Sequence, residues 1–418
     1  MNIGYACKTH TLADYIKSCR LKNSINSVLN EITSHNIQTL DKMIDYNIKN
    51  NINLFRISSD IIPFASNNVN KQLWWDDFKD DLSKIGSKLK ESGIRVSMNP
   101  GQYTVLNSPI TSVVSNAINE LNYHAKFLDS LGIDKTNKII LHIGGVYNDK
   151  ELSITRFIQN YNILSQPVKN RLVIENDIKN YNVEDILRIS KELRIPAIFN
   201  NMNNKINSTD SNLSEVDWIK KFAQTWSPSD GKQKIKYSQR SKTKKKIGIH
   251  SDTIYISEFM KFYNSINSLD LDIILEVKDK NLSAIKCINT ANNLKGKYIE
   301  REWARYKYKV LEKSQKEYKI ISNYLNNQDE LDVVEFYKKI ENVIFNNTTN
   351  NEFINSSQHV WGYFKDIAIT AEKNKFEKLI NSFKNHTIKE LYIRNFLYRL
   401  ARKYNIEYLL DSYYFVDI

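Results

Sequence analysis

Short apolar strands alternate with amphipathic helices along this chain, and the alternation occurs eight times. The strand candidates are rich in β-branched residues and end in polar ones. Strands that alternate with helices form a parallel sheet, and eight such units close a barrel. A doubly wound open sheet is the alternative, although no GxGxxG phosphate turn supports it. We therefore predict an α/β fold, a (β/α)8 TIM barrel. The predicted strands are Asn2–Ala6, Leu54–Ser59, Arg95–Pro100, Lys138–Gly145, Arg171–Asp177, Pro196–Asn201, Lys234–Ser238 and Asp272–Lys278.

The sequence changes character near Gly296, after which helical periodicity continues without strand signals. A chain of 418 residues is also long for one average domain. We predict a barrel domain over residues 1–297 and a small all-α domain over residues 298–418. The helices predicted in the second domain are Glu300–Tyr324, Glu330–Phe345, Ser357–Glu372, Lys375–Phe383 and Thr387–Tyr404, with a polar loop at Asn346–Asn351.

Two glutamates stand directly after apolar runs at the ends of predicted strands. Glu175 follows Leu172–Ile174, and Glu276 follows Ile273–Leu275. The carboxyl ends of the strands of such a barrel meet at one mouth, where the chemistry of the fold gathers. A carboxylate at the end of a buried strand needs a metal or another cation beside it. His142, at the end of the strand before Glu175, is therefore interpreted as a metal ligand rather than a structural histidine.

An excess of basic residues favours a polyanionic partner. The chain has 60 Lys and Arg against 47 Asp and Glu, which gives a net charge of +13. Phosphates neutralised by such residues release counterions and so favour binding, although solubility alone is the alternative explanation. A lysine-rich segment, 232–246, lies at the end of predicted strand seven. It is interpreted either as a phosphate contact or as a solvated loop.

The cysteines and the N-terminus indicate the compartment. Only Cys7, Cys19 and Cys287 occur, widely spaced and without a CxxC pair, which fits a reducing environment. The N-terminus has no apolar leader, and no apolar run reaches the length of a membrane span. We predict an intracellular, soluble protein with no membrane partner, and a monomer.

Long motifs in residues 1–295 resemble the UV-damage endonuclease family. Several occur in the same order and on the same strands as in that family, which makes the resemblance specific. It implies a (β/α)8 barrel with a cluster of divalent metals, often manganese, and incision of damaged duplex DNA on the 5′ side of a UV photoproduct. The motifs are GYAC at 4–7, FRISSDIIPFAS at 55–66, NPGQYTVLNSP at 99–109, LHIGGVY at 141–147, VIEND at 173–177, KIKYSQ at 234–239, GIHSD at 248–252 and LEVKDK at 275–280.

The resemblance implies roles for the residues at the mouth. Glu175 would bridge two metals, His142 and Glu276 would be further ligands, and His250 would bind a third metal. Lys234 matches a lysine that lies beside the metals and can be carboxylated. Glu175, Lys234 and Glu276 are the predicted catalytic residues. The predicted cofactor is Mn²⁺, with Mg²⁺ or Zn²⁺ as alternatives.

A second group of matches concerns DNA. Gln102 and Tyr103 match the pair that enters the duplex and probes the lesion, and Tyr5 matches an aromatic residue of the same groove. A glutamine can replace base hydrogen bonds, and a flat ring can fill a vacated stack. Arg56 and Lys278 are the further predicted DNA contacts. For Arg56, an ion pair with a carboxylate of a neighbouring strand is the equal alternative.

Four positions depart from the family pattern, and all four are metal ligands there. Asn99, Asn200, Asn203 and Lys236 stand where the family has His, Asp, His and His. Amide oxygens are poor ligands for metals that favour imidazole. A protonated lysine about 4 Å from a divalent ion costs roughly 8 kcal/mol at an effective dielectric constant of ~20. We therefore predict fewer ions than in the relatives, with the Lys236 ammonium replacing a lost cation beside the carboxylates.

Three functions follow as alternatives. The first is a metal-dependent repair endonuclease, and the second is a damage-recognition protein that has lost the nuclease. The third, a sugar-phosphate isomerase, is less favoured because of the Gln-Tyr pair and the basic charge. The C-terminal domain resembles a YbgA-like domain of unknown function through WARYKY at 303–308, QHVWGYFK at 358–365 and YLLDSYYF at 408–415. Its aromatic residues are interpreted as core, with a DNA-contacting surface as the alternative.

Overall fold

The structure is a computed structural model that describes residues 1–209, 211–326 and 331–416. The chain divides into two compact units. The first comprises residues 1–254 and 262–288, and the second comprises residues 255–261 and those from 289 onwards. The predicted domain boundary near residue 298 stays a prediction. No helix within the described ranges is long and apolar enough to cross a membrane.

The first unit contains a closed barrel of eight parallel strands that neighbour one another in chain order. This confirms the predicted fold class. Most strands end earlier than predicted, because the polar residues at their carboxyl ends already turn into the loops of the mouth. The strands are β1 (Ile3–Ala6), β2 (Leu54–Ile57), β3 (Arg95–Met98), β4 (Lys138–His142), β5 (Leu172–Glu175), β6 (Ala197–Asn200), β7 (Gln233–Tyr237) and β8 (Leu271–Leu275).

Apolar packing inside the barrel is combined with close approach of the strands. Ile140, Val173 and Ile198 form a buried cluster in the interior, against which Trp226 packs. On β1, a Cβ atom at Gly4 would lie 1.8 Å from the backbone oxygen of Leu54. Only glycine therefore allows β1 to approach β2 as it does.

Helices follow the strands along the chain, and local signals set several of their ends. Helix α7 begins with a capping box, in which Asn182 and Asp185 exchange side-chain to backbone hydrogen bonds. Helix α3 ends at Gly93, whose φ of 67° is the left-handed C-cap conformation. The helices that begin before residue 289 are α1 (Asn26–Lys49), α2 (Trp74–Asp77), α3 (Lys79–Ser92), α4 (Thr111–Ser130), α5 (Lys150–Asn162), α6 (Gln166–Arg171), α7 (Val183–Leu193), α8 (Asn201–Ile206), α9 (Glu215–Ala223), α10 (Ile256–Ile266) and α11 (Asn281–Ala291).

From residue 297 onwards the described chain is helical, as predicted, but the predicted bounds of two helices and one loop were wrong. The predicted helix Ser357–Glu372 is interrupted, because one helix ends at Trp361 and the next begins at Thr370. The predicted helix Glu300–Tyr324 breaks at Ser314, whose extended backbone ends one helix and whose hydroxyl accepts from the Glu317 amide of the next. The predicted loop at 346–351 is shorter, because Thr349 and Glu352 form a capping box. The helices are α12 (Lys297–Lys313), α13 (Gln315–Asn326), α14 (Val333–Ile344), α15 (Asn350–Trp361), α16 (Thr370–Lys384), α17 (Glu390–Lys403) and α18 (Glu407–Leu410).

The central helix of the second unit, α12, carries a stripe of buried charged residues. Glu302, Arg305, Lys309 and Glu312 are spaced three or four residues apart and lie on one face. Each finds a partner of opposite charge or a hydrogen bond. Arg305 Nη1 donates to Glu302 Oε1 at 2.9 Å, and Arg394 Nη1 lies 3.0 Å from Glu312 Oε2. The helical prediction therefore held while the buried charge was not foreseen.

Candidate active site

The mouth of the barrel brings together the two predicted carboxylates. Glu175 ends β5 and is buried, and Glu276 follows β8 directly. Lys236 lies between them on β7. Its ammonium forms a buried ion pair with Glu175 Oε2 and lies 3.4 Å from Glu276 Oε1. Both carboxylates thus share one cation.

A second cation completes this group. Arg56, on β2, donates from Nη1 to Glu276 Oε1 at 2.7 Å. We call Arg56, Glu175, Lys236 and Glu276 the charge cluster. Two positive and two negative groups stand within it, so it is balanced without any added ion. Of the two alternatives predicted for Arg56, the structure shows an ion pair, although its carboxylate follows β8, which is separated from β2 by β1, and does not belong to a neighbouring strand.

The pKa of Glu276 shows how strongly the cations act. Burial by itself raises this pKa, but Lys236, Arg56 and His250 outweigh burial and hold the pKa of Glu276 well below its usual value. Because the folded pKa is depressed, the stabilisation from this group is present above the ordinary Glu pKa and is lost as pH falls through the folded value. Glu276 is therefore ionised at neutral pH.

Asparagines occupy positions beside the carboxylates. Asn200, at the end of β6, donates from Nδ2 to Glu175 Oε1 at 2.8 Å and to Glu276 Oε2 at 3.4 Å. Its Oδ1 accepts from the Asn203 backbone amide at 3.2 Å. Asn203 donates its own amide to the Asn176 carbonyl at 2.7 Å, and the Oδ1 atom of Asn99 has no hydrogen-bond partner among the described residues. The side-chain amide of Asn200 thus donates to carboxylates where a metal ligand would offer an oxygen.

Two histidines flank the charge cluster. His142 Nε2 lies 4.0 Å from Glu175 Oε2, and His250 Nε2 lies 3.8 Å from Glu276 Oε2. Both side chains are partly exposed to the mouth. Burial lowers the pKa of His250, with Lys280, Lys236 and Arg56 lowering it further against Glu276. A neutral imidazole at this position is a hydrogen-bond partner and a potential metal ligand.

Lys234 is placed away from the carboxylates. It lies two residues before Lys236 on β7, is fully buried, and its Nζ has no hydrogen-bond partner within the described part of the chain. Burial lowers the pKa of Lys234 well below its usual value. The nearby cations Arg95 and Lys138 lower it further, against the carboxylate of Asp272. The amine is therefore held in the barrel interior in a form that resists protonation.

Replacing Lys234 with methionine is expected to raise the free energy of unfolding at pH 7 by about 1–3 kcal/mol, because a buried polar group without a partner is removed. The unfolded state binds a proton that the folded state does not, so the stability of the unmodified protein rises with pH towards the ordinary Lys pKa. The difference in the free energy of unfolding between Lys234→Met and the unmodified protein should therefore be smaller at pH 10 than at pH 7. Urea unfolding at both pH values measures it.

Lys138→Met is the matched control for that variant. Lys138 is equally buried, but its ammonium donates to Asp230 Oδ1 at 2.6 Å, so its loss should lower stability. A Lys234→Met variant that is less stable at both pH values would show that the amine has a partner or a modification.

The predicted DNA contacts divide into three groups. Gln102 and Tyr103 are exposed in a turn that follows β3, and the Tyr103 side chain is 68% exposed. Lys278 pairs with Asp252 at 2.6 Å and is partly exposed. Tyr5, in contrast, is fully buried, and its hydroxyl donates to Asn47 Oδ1 at 2.8 Å. This corrects the expectation that Tyr5 lies in the DNA groove, because alternation along β1 points its ring into the helix layer around the barrel.

The lysine-rich segment does not form a single loop, which corrects the interpretation of 232–246 as one unit. Lys234 and Lys236 belong to β7 and are buried, and Lys232 pairs with Asp270 at 2.6 Å. Only residues 240–246 form a basic loop, in which a bridge joins Arg240 to His250. The exposed lysines of this loop are Lys242, Lys244, Lys245 and Lys246.

No role was predicted for Asn176, although it directly follows Glu175 at the mouth. Asn176 Oδ1 accepts from the Asn200 backbone amide at 2.8 Å, and its Nδ2 donates to the Asn200 carbonyl at 3.2 Å. These bonds fix the backbone beside both carboxylates. Its position directly after a glutamate at the end of a strand could have indicated that Asn176 belongs to the site.

A divalent-metal cluster of the kind that the resemblance implies does not fit these residues. The Lys236 ammonium lies between the two carboxylates, where an ion would have to stand. No group of three or more His, Cys, Asp or Glu side chains with metal-binding spacing occurs in the parts of the chain that the structure describes. What remains is two His–Glu pairs separated by a lysine.

Fold and mouth together define a TIM-barrel protein with acids and histidines at the carboxyl ends of its strands, the arrangement of barrel enzymes. The model of the family described as "UV-endonuclease UvdE" matches residues 2–300, and a model described as "Protein of unknown function (DUF1722)" matches residues 307–417. The chain therefore belongs to the UV-endonuclease UvdE family.

Individual relatives agree with this assignment. The chain is 41% identical over 387 residues to a UV DNA damage endonuclease of Clostridium perfringens, covering 91% of this chain and 92% of the relative. It is 31% identical over 292 residues to a UV DNA damage endonuclease of Bacillus cereus, and the match covers 69% of this chain and 90% of the relative. The crystal structure of SacUVDE superposes with a TM-score of 0.67 at 38% identity, covering 70% of this chain and 99% of that one.

Proposed function

We propose that this chain is a DNA-repair endonuclease that binds UV-damaged duplex DNA at the mouth of the barrel. We further propose that it incises the backbone on the 5′ side of a photoproduct. The observation that carries this proposal is the convergence of Glu175, Glu276, His142 and His250 on one mouth in a chain of the UV-endonuclease family. The exposed turn of Gln102 and Tyr103 and the basic loop 240–246 support DNA as the partner.

The charge cluster limits how this chemistry can proceed. A balanced set of two acids and two cations attracts neither a divalent ion nor a phosphate strongly. Lys236 would have to leave its ion pair before an ion could bind one of the His–Glu pairs. We therefore propose that this chain uses fewer metal ions than its relatives, with Mn²⁺ as the first candidate, and we assign no catalytic step to them.

The position of Lys236 favours a second candidate function, a damage-recognition protein without nuclease activity. In that case Lys236 and Arg56 balance the charge of Glu175 and Glu276, while Gln102 and Tyr103 read the lesion. Lesion binding would then need no metal.

Incubation with a duplex that carries one photoproduct distinguishes the two functions. With Mn²⁺, the endonuclease should produce a nick directly 5′ of the lesion, and EDTA should abolish it. Glu175→Gln is expected to reduce incision at least a hundredfold, because it removes the carboxylate that the resemblance assigns to two metals. The affinity for the damaged duplex should change by no more than a few-fold. Glu184→Gln, which removes an exposed acid at the start of α7, is the matched control.

The outcomes are separable. Selective binding that survives EDTA without incision supports the recognition protein and contradicts the endonuclease. Absence of any preference for the damaged duplex contradicts both.

A further inference from the structure

Positive charge in the second unit is concentrated in one pair of helices. Residues 370–403 contain nine Lys and Arg against three Asp and Glu. They form α16 and α17, which a short turn joins. Lys403, at the end of α17, forms an ion pair of 2.7 Å with Glu372, at the start of α16, so the two helices run antiparallel. We call residues 370–403 the basic hairpin.

Two of the three acids of the basic hairpin are neutralised within it. Glu372 pairs with Lys403, and Glu390 pairs with Arg394 at 3.1 Å. The third acid, Glu377, is exposed. Seven exposed cations are left, and none of them forms an ion pair with an acidic residue in the ranges that the structure describes. They are Lys373, Lys375, Lys378, Lys384, Lys389, Arg399 and Arg402. The hairpin therefore presents an excess of positive charge to solvent.

One face of α17 combines these cations with an exposed aromatic ring. The residues of this face are spaced three or four apart and are all exposed. They are Tyr392, Asn395, Arg399 and Arg402. The Tyr392 side chain is 60% exposed. Arginine, asparagine and tyrosine side chains all donate to the phosphate oxygens of nucleic acids. The face therefore has the composition of a surface that binds a nucleic-acid backbone.

The opposite face of α17 argues against a lipid surface as the partner. Its apolar side chains belong to the core of the second unit, and they are Ile393, Phe396, Leu397 and Leu400. A helix that binds a membrane inserts its apolar face at the boundary of the acyl chains. That face of α17 is already buried, so the exposed face acts through charge and hydrogen bonds. Duplex DNA, with one negative charge per ~1.7 Å of its axis, fits such a face.

We propose that the basic hairpin binds the sugar-phosphate backbone of duplex DNA independently of lesions. This goes beyond the proposed function, because it gives the second unit a DNA-binding surface of its own, whereas the lesion is assigned to the mouth of the barrel. Phosphate contacts add affinity for every duplex and carry no information on damage. The second unit would then hold the chain on undamaged DNA during the search for a lesion.

Fluorescence anisotropy with a labelled undamaged duplex tests the proposal on the full-length protein. The variant Lys389→Gln/Arg399→Gln/Arg402→Gln removes three exposed cations and leaves the core unchanged. It should bind the undamaged duplex at least ten times more weakly than the unmodified protein. The slope of the logarithm of the binding constant against the logarithm of salt concentration should become less steep by about two to three, because each lost phosphate contact releases about one counterion fewer.

Lys295→Gln/Lys316→Gln/Lys319→Gln is the matched control, since it removes the same charge from exposed lysines of the same unit outside the hairpin. Its affinity for the duplex should stay within about twofold of the unmodified protein. An equal loss of affinity in the two triple variants would show that net charge alone acts and would overturn the inference. Unchanged affinity in the α17 variant would also overturn it. If that variant loses binding only to phosphatidylglycerol vesicles, the hairpin binds a membrane instead.

The ratio of the affinities for damaged and undamaged duplexes separates this inference from the proposed function. In the α17 variant the ratio should stay the same or rise, because the mouth of the barrel is unchanged. A ratio that falls to one in this variant would show that the hairpin takes part in lesion recognition, and it would overturn lesion-independent binding. A ratio of one in the unmodified protein contradicts the proposed function, while the weaker binding of the α17 variant to the undamaged duplex would still support the hairpin.

Discussion

Replacing Lys236 with methionine is expected to lower the free energy of unfolding by about 3–5 kcal/mol, because Glu175 and Glu276 lose their shared cation while remaining buried. The same substitution should create a site for a divalent ion, since two carboxylates flanked by His142 and His250 would then face the vacated space. Mn²⁺ at a hundred times its Kd should restore about 2.7 kcal/mol. Urea unfolding with EDTA and with Mn²⁺ measures both effects.

The double variant Glu175→Gln/Lys236→Met is the control for this experiment. It removes one charge of each sign, so it should be more stable than Lys236→Met and should bind Mn²⁺ more weakly. A Lys236→Met protein that keeps its stability in EDTA would contradict the charge balance. Tight binding of two or more Mn²⁺ ions by the unmodified protein would also contradict the charge balance.

Restoring the four family ligands is expected to have the second large effect. The variant Asn99→His/Asn200→Asp/Asn203→His/Lys236→His replaces amide donors and an ammonium with groups that bind metals. We expect purified protein to retain at least two ions per chain after dialysis, where the unmodified protein retains less than one. Incision of a photoproduct duplex should rise at least tenfold. Elemental analysis measures the ions independently of activity.

The triple variant that keeps Lys236 separates the contributions. The ammonium should still exclude an ion from the space between the carboxylates, so the triple variant should retain fewer ions than the quadruple one. Equal metal content in the two proteins would show that Lys236 turns away when metals bind. Circular dichroism spectra that match the unmodified protein establish that both variants are folded.

The barrel was predictable because several of its strands are buried on both sides and contain continuous apolar runs. Leu172–Ile174 and Ile273–Leu275 are such runs, and each places a glutamate at the mouth. A continuous apolar run does not show which of its side chains point into the barrel and which point towards the helices. The resemblance placed Tyr5 in the DNA groove, and nothing in the run at Asn2–Ala6 distinguishes the interior face from the helix-facing one, so the sequence did not show that this ring is buried.

The partners of the charged side chains were harder to predict than the strands. The compensating charge beside the two glutamates was predicted, and Lys236 supplies it. The pairing of Arg56 with Glu276 joins residues 220 positions apart, and only the closure of the barrel brings them together. The breaks in the C-terminal helices depend on caps such as Thr349, where one hydrogen bond outweighs continuing periodicity.

The charge cluster also bears on how the protein responds to its surroundings. The positive charge of Lys236 is covalently part of the chain. A chelator cannot remove it, and it does not depend on the concentration of transition metals. Heating this protein with and without EDTA should therefore give the same midpoint of unfolding. In a cell starved of manganese, the barrel would still fold and still present the mouth at which we propose that DNA binds.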